Sequence, residues 1–230
     1  MGLWSEAKKN RIQRSRVLAT EFLMEALTGL SYRPKVIVSA SAIGYYGNRG
    51  DQWLTEQSAA GAGFLPLLCQ EWERTTEIAS NAGVRVVNIR TGLVLTSAGG
   101  TLKAMLPAFR LGLGGRLGNG RQYMSWIDLD DHIAAIQFVL ENETLRGPVN
   151  LVAPNPVTNR EFTKSLATIL HRPAIFPVPG FLLHLLPGGM AKNTLLASQR
   201  VEPAKLLKAG FEFAYPELAS SLAHCLPSKQ

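Results

Sequence analysis

Between residues 5 and 30 the apolar positions Ile12, Ala19, Phe22, Leu23, Ala26 and Leu27 recur at helical spacing among charged residues. The spacing predicts a helix from Ser5 to Leu30, stopped by Gly29 and Pro34. The period then changes. Lys35-Val36-Ile37-Val38-Ser39-Ala40 is a short β-branched run between a proline and small residues, which reads as a buried strand. Gly44 to Gly63 reads as a loop with two tyrosines at its start. Phe64 to Ala82 predicts a second helix capped by Gly83, and Val84 to Arg90 a second strand. Helix, strand, helix, strand is the rhythm of a parallel sheet with crossover helices.

Downstream the rhythm loosens. Thr101 to Leu111 predicts a helix, and Gly112 to Gly120, with five glycines in nine residues, a loop. Ser125-Trp126-Ile127 leads towards Asp131, the expected N-cap of a helix from His132 to Leu140. Val149 to Val152 is a third strand. Thr158-Asn159-Arg160-Glu161 fits a capping box that opens a helix running to Leu170. From Arg172 the chain is rich in proline, with a helix stop at Leu206-Leu207-Lys208-Ala209-Gly210 before Phe211-Glu212-Phe213. The apolar cluster Phe181 to Leu186, broken by His184 and ended by Pro187, is too short to span a bilayer.

Composition narrows the function classes. The chain has 230 residues, 46% hydrophobic and 18% charged, enough for one sizeable core. Its net charge of +7 is weighted to Lys8, Lys9, Arg11, Arg14 and Arg16. No aromatic residues interleave with these charges, so a solvated helix face is expected and no nucleic-acid partner. Cys69 and Cys225 stand far apart, which excludes a disulfide framework and a zinc ribbon. With charges near Met1 where a secretory leader needs an apolar run, a cytoplasmic location is expected. Asp128, Asp130, Asp131 and His132 invite a metal reading, but capping accounts for Asp131 and no second ligand cluster accompanies them, so no metal is expected. The sequence contains neither G-x-G-x-x-G nor G-x-x-x-x-G-K-[ST]; at Gly112-Leu113-Gly114 the third glycine is replaced by Leu117. A G-x-S-x-G elbow is also missing.

The stretch Ser39-Ala40-Ser41-Ala42-Ile43-Gly44-Tyr45-Tyr46-Gly47 resembles the S-x-S-A-x-G-Y-Y-G signature of epimerase-family proteins, atypical extended short-chain dehydrogenases/reductases. Further matches follow in order: Phe64 through Leu68-Cys69 to Trp72-Glu73, Arg90-Thr91-Gly92-Leu93-Val94-Leu95, and Leu106-Pro107 through the glycine-rich loop to Trp126-Ile127. Gln199-Arg200, Pro203 and Gly210-Phe211 are similar to the small carboxyl-terminal domain of unknown function carried by the family. The resemblance covers essentially the whole chain.

It implies an α/β, Rossmann-like parallel sheet without its N-terminal strands and glycine-rich loop, about 60–80 residues judged from the size of such units. It also implies a small carboxyl-terminal α+β substrate lobe. The expected division is residues 1–152 for the NAD(P)-binding part and 153–230 for the family-specific domain. NADP(H) or NAD(H) is the implied cofactor, bound weakly or not at all by a truncated chain. A small, sugar-nucleotide-like substrate is the implied partner, with a homodimer expected from an exposed sheet edge and no membrane association.

Ordinary members of the superfamily use Tyr-x-x-x-Lys, the lysine lowering the tyrosine pKa. None of the five tyrosines is followed by lysine four residues on, and alignment on Trp72-Glu73 puts Leu65 and Cys69 in those places. The resemblance then assigns Ser39, Ala40, Ser41, Arg90, Thr91 and Gly92 to the cofactor. It assigns Ser41 to catalysis, where Tyr46 or Tyr45, the phenols nearest that strand end in sequence, is expected as proton donor, Tyr46 first; Tyr45, Arg110, Gln122 and Trp126 are expected to meet the substrate. Each has a plainer alternative: a turn cap for Ser41, aromatic packing for the tyrosines, an ion pair for Arg90, a rigid loop for Arg110, Gln122 and Trp126. The family's W-I-H reads Trp126-Ile127-Asp128 here, which puts any role of that histidine in doubt. The rival reading is a cofactor-binding or interaction protein without turnover.

Overall fold

A computed structural model describes residues 5–175, 177–178 and 196–226; the Phe181–Leu186 cluster lies outside them. The central element is a parallel sheet of β1 (Val36–Ala42), β3 (Arg85–Thr91) and β7 (Gly147–Leu151), in the order β1-β3-β7. Helix α1 (Glu6–Thr28), α2 (Phe64–Thr75) and α3 (Glu77–Asn81) cover one face, where Met24, Ile37, Ala79, Val84 and Val86 form a core. On the other face Val87, Ile89 and Val149 pack against Ala135 and Val139 of α5 (Leu129–Glu141) and Leu206 of α7 (Ala204–Lys208). Because both faces are covered, the strands read as near-continuous apolar runs. Among the described residues β1 pairs on one side only, with β3.

A second core joins α4 (Gly100–Arg110), α6 (Asn159–Ile169) and α8 (Leu218–Cys225) around β4 (Leu93–Leu95) and β6 (Trp126–Asp128), a parallel pair. Two further small pairs tie distant segments together. β2 (Trp53–Leu54) runs parallel to β9 (Arg200–Val201), and β5 (Tyr123–Met124) antiparallel to β8 (Val157–Thr158). Residues on both sides of Val152 share these cores: Leu206 with Val149, and Leu222 with Leu95. Among the described residues, no helix is long and apolar enough to cross a membrane.

Three local expectations change. The helix expected over Phe64–Ala82 is interrupted at Thr76, where the hydroxyls of Thr75 and Thr76 donate back to the carbonyls of Trp72 (2.7 Å) and Glu73 (2.6 Å). Such back-bonding competes with helix propagation. Helix α5 begins three residues early, because Asp128, in extended conformation, accepts from the backbone N–H of Asp130 and is the N-cap. Asp131 is instead buried and accepts from the backbone N–H groups of Ala214 and Tyr215. The loop after β1 holds a 3-10 turn, Ile43–Tyr46, and strand β2. The capping box at Thr158 forms with both reciprocal bonds. The basic start of α1 is partly a packing surface: Lys9 lies over the ring of Phe64 and Arg16 over that of Trp72.

Candidate functional site

On the sheet face covered by α2 the strands change character from one end to the other. Ile37 pairs with Val86, both apolar; two residues on, Ser39 pairs with Asn88; two further, Ser41, Arg90 and Asn150 stand side by side across β1, β3 and β7. The period of two places all of these on one face. The last row lies at the carboxyl ends of the strands, where open α/β sheets take their ligands.

Four side chains converge on this row: Glu73, Tyr46, Glu56 and Tyr45. The Ser41 hydroxyl donates to Glu73 Oε1 (2.6 Å). Arg90 donates through Nε to the same oxygen (2.8 Å) and through Nη2 to Oε2 (2.7 Å), a two-pronged pair. Arg90 Nη1 donates to the Tyr46 hydroxyl (3.1 Å), which donates to Asn150 Oδ1 (2.7 Å). Asn150 Nδ2 donates to the carbonyl of Glu202, and its backbone N–H to the buried carboxylate of Glu56. Above Arg90 lies the half-buried ring of Tyr45, its centroid 3.4 Å from the guanidinium carbon, edge-on to Tyr46.

The electrostatics follow from burial. Desolvation pushes the Tyr46 phenol up to about 12, although the Arg90 charge works against it. Burial also works to lower the Arg90 pKa, but the Glu73 carboxylate and the Tyr46 hydroxyl more than reverse this and leave it raised. Cys69 is held as a thiol, pushed up to about 11 by burial and then by the Glu73 charge. His132, whose Nε2 lies 3.2 Å from Thr91 Oγ1, has its pKa lowered by burial.

The structure brings Ser41, Tyr45, Tyr46 and Arg90 together as neighbours, with Ser39, Ala40, Thr91 and Gly92 on the same two strands or at their end. Leu65 and Cys69 lie against Gly44, so the two dyad positions do face the strand end. Three points differ. The Tyr46 hydroxyl is fully buried with both partners internal, so in this structure it offers no face to a substrate. Trp126 is fully buried in the second core, its indole N–H donating to the carbonyl of Asn155, which is a packing role. Arg110 lies on the exposed last turn of α4, and buried Gln122 donates to the Leu117 carbonyl within the glycine-rich loop.

Glu73, Asn150 and Glu56 were missed. Glu73 was legible: it stands four residues after Cys69 and eight after Leu65, on the stripe of α2 that faces the sheet. Asn150, polar within Val149-Asn150-Leu151-Val152, was a second signal. Gly92 is required by packing, since a Cβ would come within 2.6 Å of Val152 Cγ1 and 2.7 Å of the Ser125 carbonyl oxygen. The fold also brings His224 to Asp128 and Asp130, with ligand atoms within 4.8 Å. All are engaged already: Asp128 with Asp130 N–H and Ser221, Asp130 with His224, and His224 with Tyr215.

Known proteins of similar sequence identify the family. The epimerase family protein Mb2239 of Mycobacterium bovis is 43% identical over 221 residues, covering 96% of this chain and 73% of its own length. The chain belongs to the epimerase family of atypical extended short-chain dehydrogenases/reductases. The family's carboxyl-terminal domain of unknown function, DUF1731, matches residues 178–225. Among solved structures, the human epimerase family protein SDR39U1 (isoform 2), determined with NADPH, superposes with a TM-score of 0.93 at 31% identity, over 99% of this chain and 77% of the human one. A nucleoside-diphosphate sugar epimerase from Corynebacterium glutamicum gives 0.79 at 37% identity, over all of this chain and 45% of that protein. The Rossmann-like fold of the family is thus the fold of this chain.

Proposed function

We propose that this chain carries the substrate side of an NADP(H)-linked oxidoreductase or epimerase acting on a small polar molecule of sugar-nucleotide type. The observation that carries the reading is the polar row Ser41–Arg90–Asn150 at the carboxyl end of the parallel sheet, locked by Glu73. The structural relative solved with NADPH supports the choice of cofactor. Ser39, Ala40, Ser41, Arg90, Thr91 and Gly92 border the position where the nicotinamide end would lie, and the cofactor when bound supplies hydride transfer.

In this reading the Ser41 hydrogen is committed to Glu73, which leaves the serine oxygen free to accept from a substrate hydroxyl. The half-buried Tyr45 is the phenol that meets the substrate oxygen, while Tyr46 positions Arg90 beneath it. Gln122 steadies the glycine-rich loop over the substrate, and exposed Arg110 borders it. The nicotinamide side thus fits the strand ends. For the pyrophosphate the sequence offers no G-x-G-x-x-G turn, so the chain by itself binds NADP(H) weakly or not at all.

Fluorescence titration with NADPH, followed by a turnover screen on carbonyl and sugar-nucleotide substrates, tests this. NADPH consumption that falls in Ser41→Ala and Tyr45→Phe but not through a loss of NADPH affinity supports it. Low-micromolar NADPH affinity overturns the weak-binding part. A second reading, a cofactor-binding protein without turnover, is favoured by Leu65 and Cys69 in the dyad positions. Saturable NADPH binding without consumption would decide for it.

A further inference from the structure

A cavity of about 790 Å³ opens beside α6, and none of the residues of the polar row lines it. Its walls carry Arg116 from the glycine-rich loop, Arg160 and Lys164 from α6, and His171 and Arg172 just beyond that helix. Four of these are basic side chains, and no carboxylate is among the described residues that line the cavity. Two are steadied by neutral acceptors: Arg160 Nη2 donates to the Asn119 carbonyl (3.3 Å), and Arg172 Nε to the Arg110 carbonyl (3.0 Å). Carbonyls orient a guanidinium without neutralising it. Arg160 and Lys164 are also four residues apart on one helix face, a like-charge spacing that disfavours the helix.

A second, independent feature points the same way. Thr163 lines the same cavity, is only 4% exposed, and its hydroxyl has no hydrogen-bond partner. A buried donor without an acceptor is uncommon in folded proteins, and a ligand oxygen is one remedy. Basic groups on a concave wall, with an unpartnered hydroxyl in the same wall, suit an oxyanion better than an apolar group. With four cations in one wall, a multiply charged ligand is preferred over a singly charged one.

We propose that this cavity is a binding site for a phosphate-type oxyanion of two or more charges, either free or as the phosphorylated end of a small metabolite. Isothermal titration with inorganic pyrophosphate, inorganic phosphate and a simple sugar phosphate, at ionic strength fixed with chloride, tests it. The expected result is one pyrophosphate per chain, with phosphate weaker. The Arg160→Gln/Lys164→Gln variant loses roughly tenfold or more in affinity, as removal of charge-assisted hydrogen bonds does. Thr163→Val also loses affinity, while its thermal unfolding stays in place or rises, because the hydroxyl it removes has no protein partner. A sugar phosphate that binds as well as pyrophosphate identifies a phosphorylated metabolite as the source; pyrophosphate alone identifies the free anion. Equal affinity in wild type and both variants, or no heat with any of the three anions, overturns the site. Binding only to long polyanions such as duplex DNA, lost in the same variants, overturns it in favour of a nucleic-acid surface.

Discussion

Replacing Glu73 with glutamine tests whether the polar row is held by charge. Arg90 and Glu73 have side chains 3% and 12% exposed, and Glu73 receives three hydrogen bonds, two from Arg90 and one from Ser41. Glutamine keeps one oxygen acceptor but turns an NH2 towards a guanidinium, donor against donor, and leaves the buried cation unpaired. Removing one partner of a buried pair typically costs about 3–5 kcal/mol. For a chain of this size each kcal/mol lowers Tm by about 2–4 °C, so Glu73→Gln is expected to unfold roughly 6–20 °C lower. The companion variant Glu73→Met/Arg90→Met removes both charges and is expected to recover most of that loss, since apolar replacement of a whole buried pair is often near neutral. Thermal unfolding followed by circular dichroism reads both. A fall below about 3 °C in Glu73→Gln, or a double variant worse than the single one by a similar margin, would refute the reasoning.

Other expectations follow from the same geometry. His132 is held below its ordinary 6.5 by burial, so the unfolded chain binds its proton first as pH falls; its contribution to stability is full above 6.5 and is lost as pH drops towards its folded value. Denaturant titrations at several pH values should show that slope, flattened in His132→Phe. Gly92→Ala drives a methyl into Val152 and the Ser125 carbonyl and is expected to cost about 1–3 kcal/mol in chemical unfolding. The open side of β1 is expected to give dimers or larger species by strand pairing; light scattering showing a monodisperse monomer at high concentration counts against it.

The sheet was legible because its strands are short apolar runs bounded by Pro34, Gly83 and small residues, and the helices because their apolar spacing and caps are conventional. Missed elements share a cause. β2, β5, β8 and β9 are two-residue strands whose partners lie up to 147 residues away, and no local pattern marks them. Asp128 lost the capping assignment to Asp131 because three aspartates in four residues offer the same chemistry, and only backbone direction separates them. At the site, Ser41, Tyr45, Tyr46 and Arg90 came from motif resemblance, which gives residues without their partners. Whether a tyrosine hydroxyl faces solvent or an asparagine on a third strand is decided by the tertiary fold, as Tyr46 shows.

The hydrogen-bonded row also bears on how the chain reaches its native state. Arg90 finds Glu73 17 residues earlier and Tyr46 44 residues earlier, while the Tyr46–Asn150 bond spans 104 residues and the Asn150–Glu202 bond 52. No short hairpin or helix pair can complete such a circuit. Loop-closure entropy must be overcome several times before the last donor is satisfied, which favours slow, late formation of this region. Until β7 docks, Tyr46 lacks its acceptor, and until α2 docks, Arg90 lacks its counter-charge. Before α2 docks, Arg90 stays hydrated on an uncovered sheet face, so these contacts add stability only once Tyr46, α2, β3 and β7 are all in place. The residues of the polar row thus act during folding as a test of completeness.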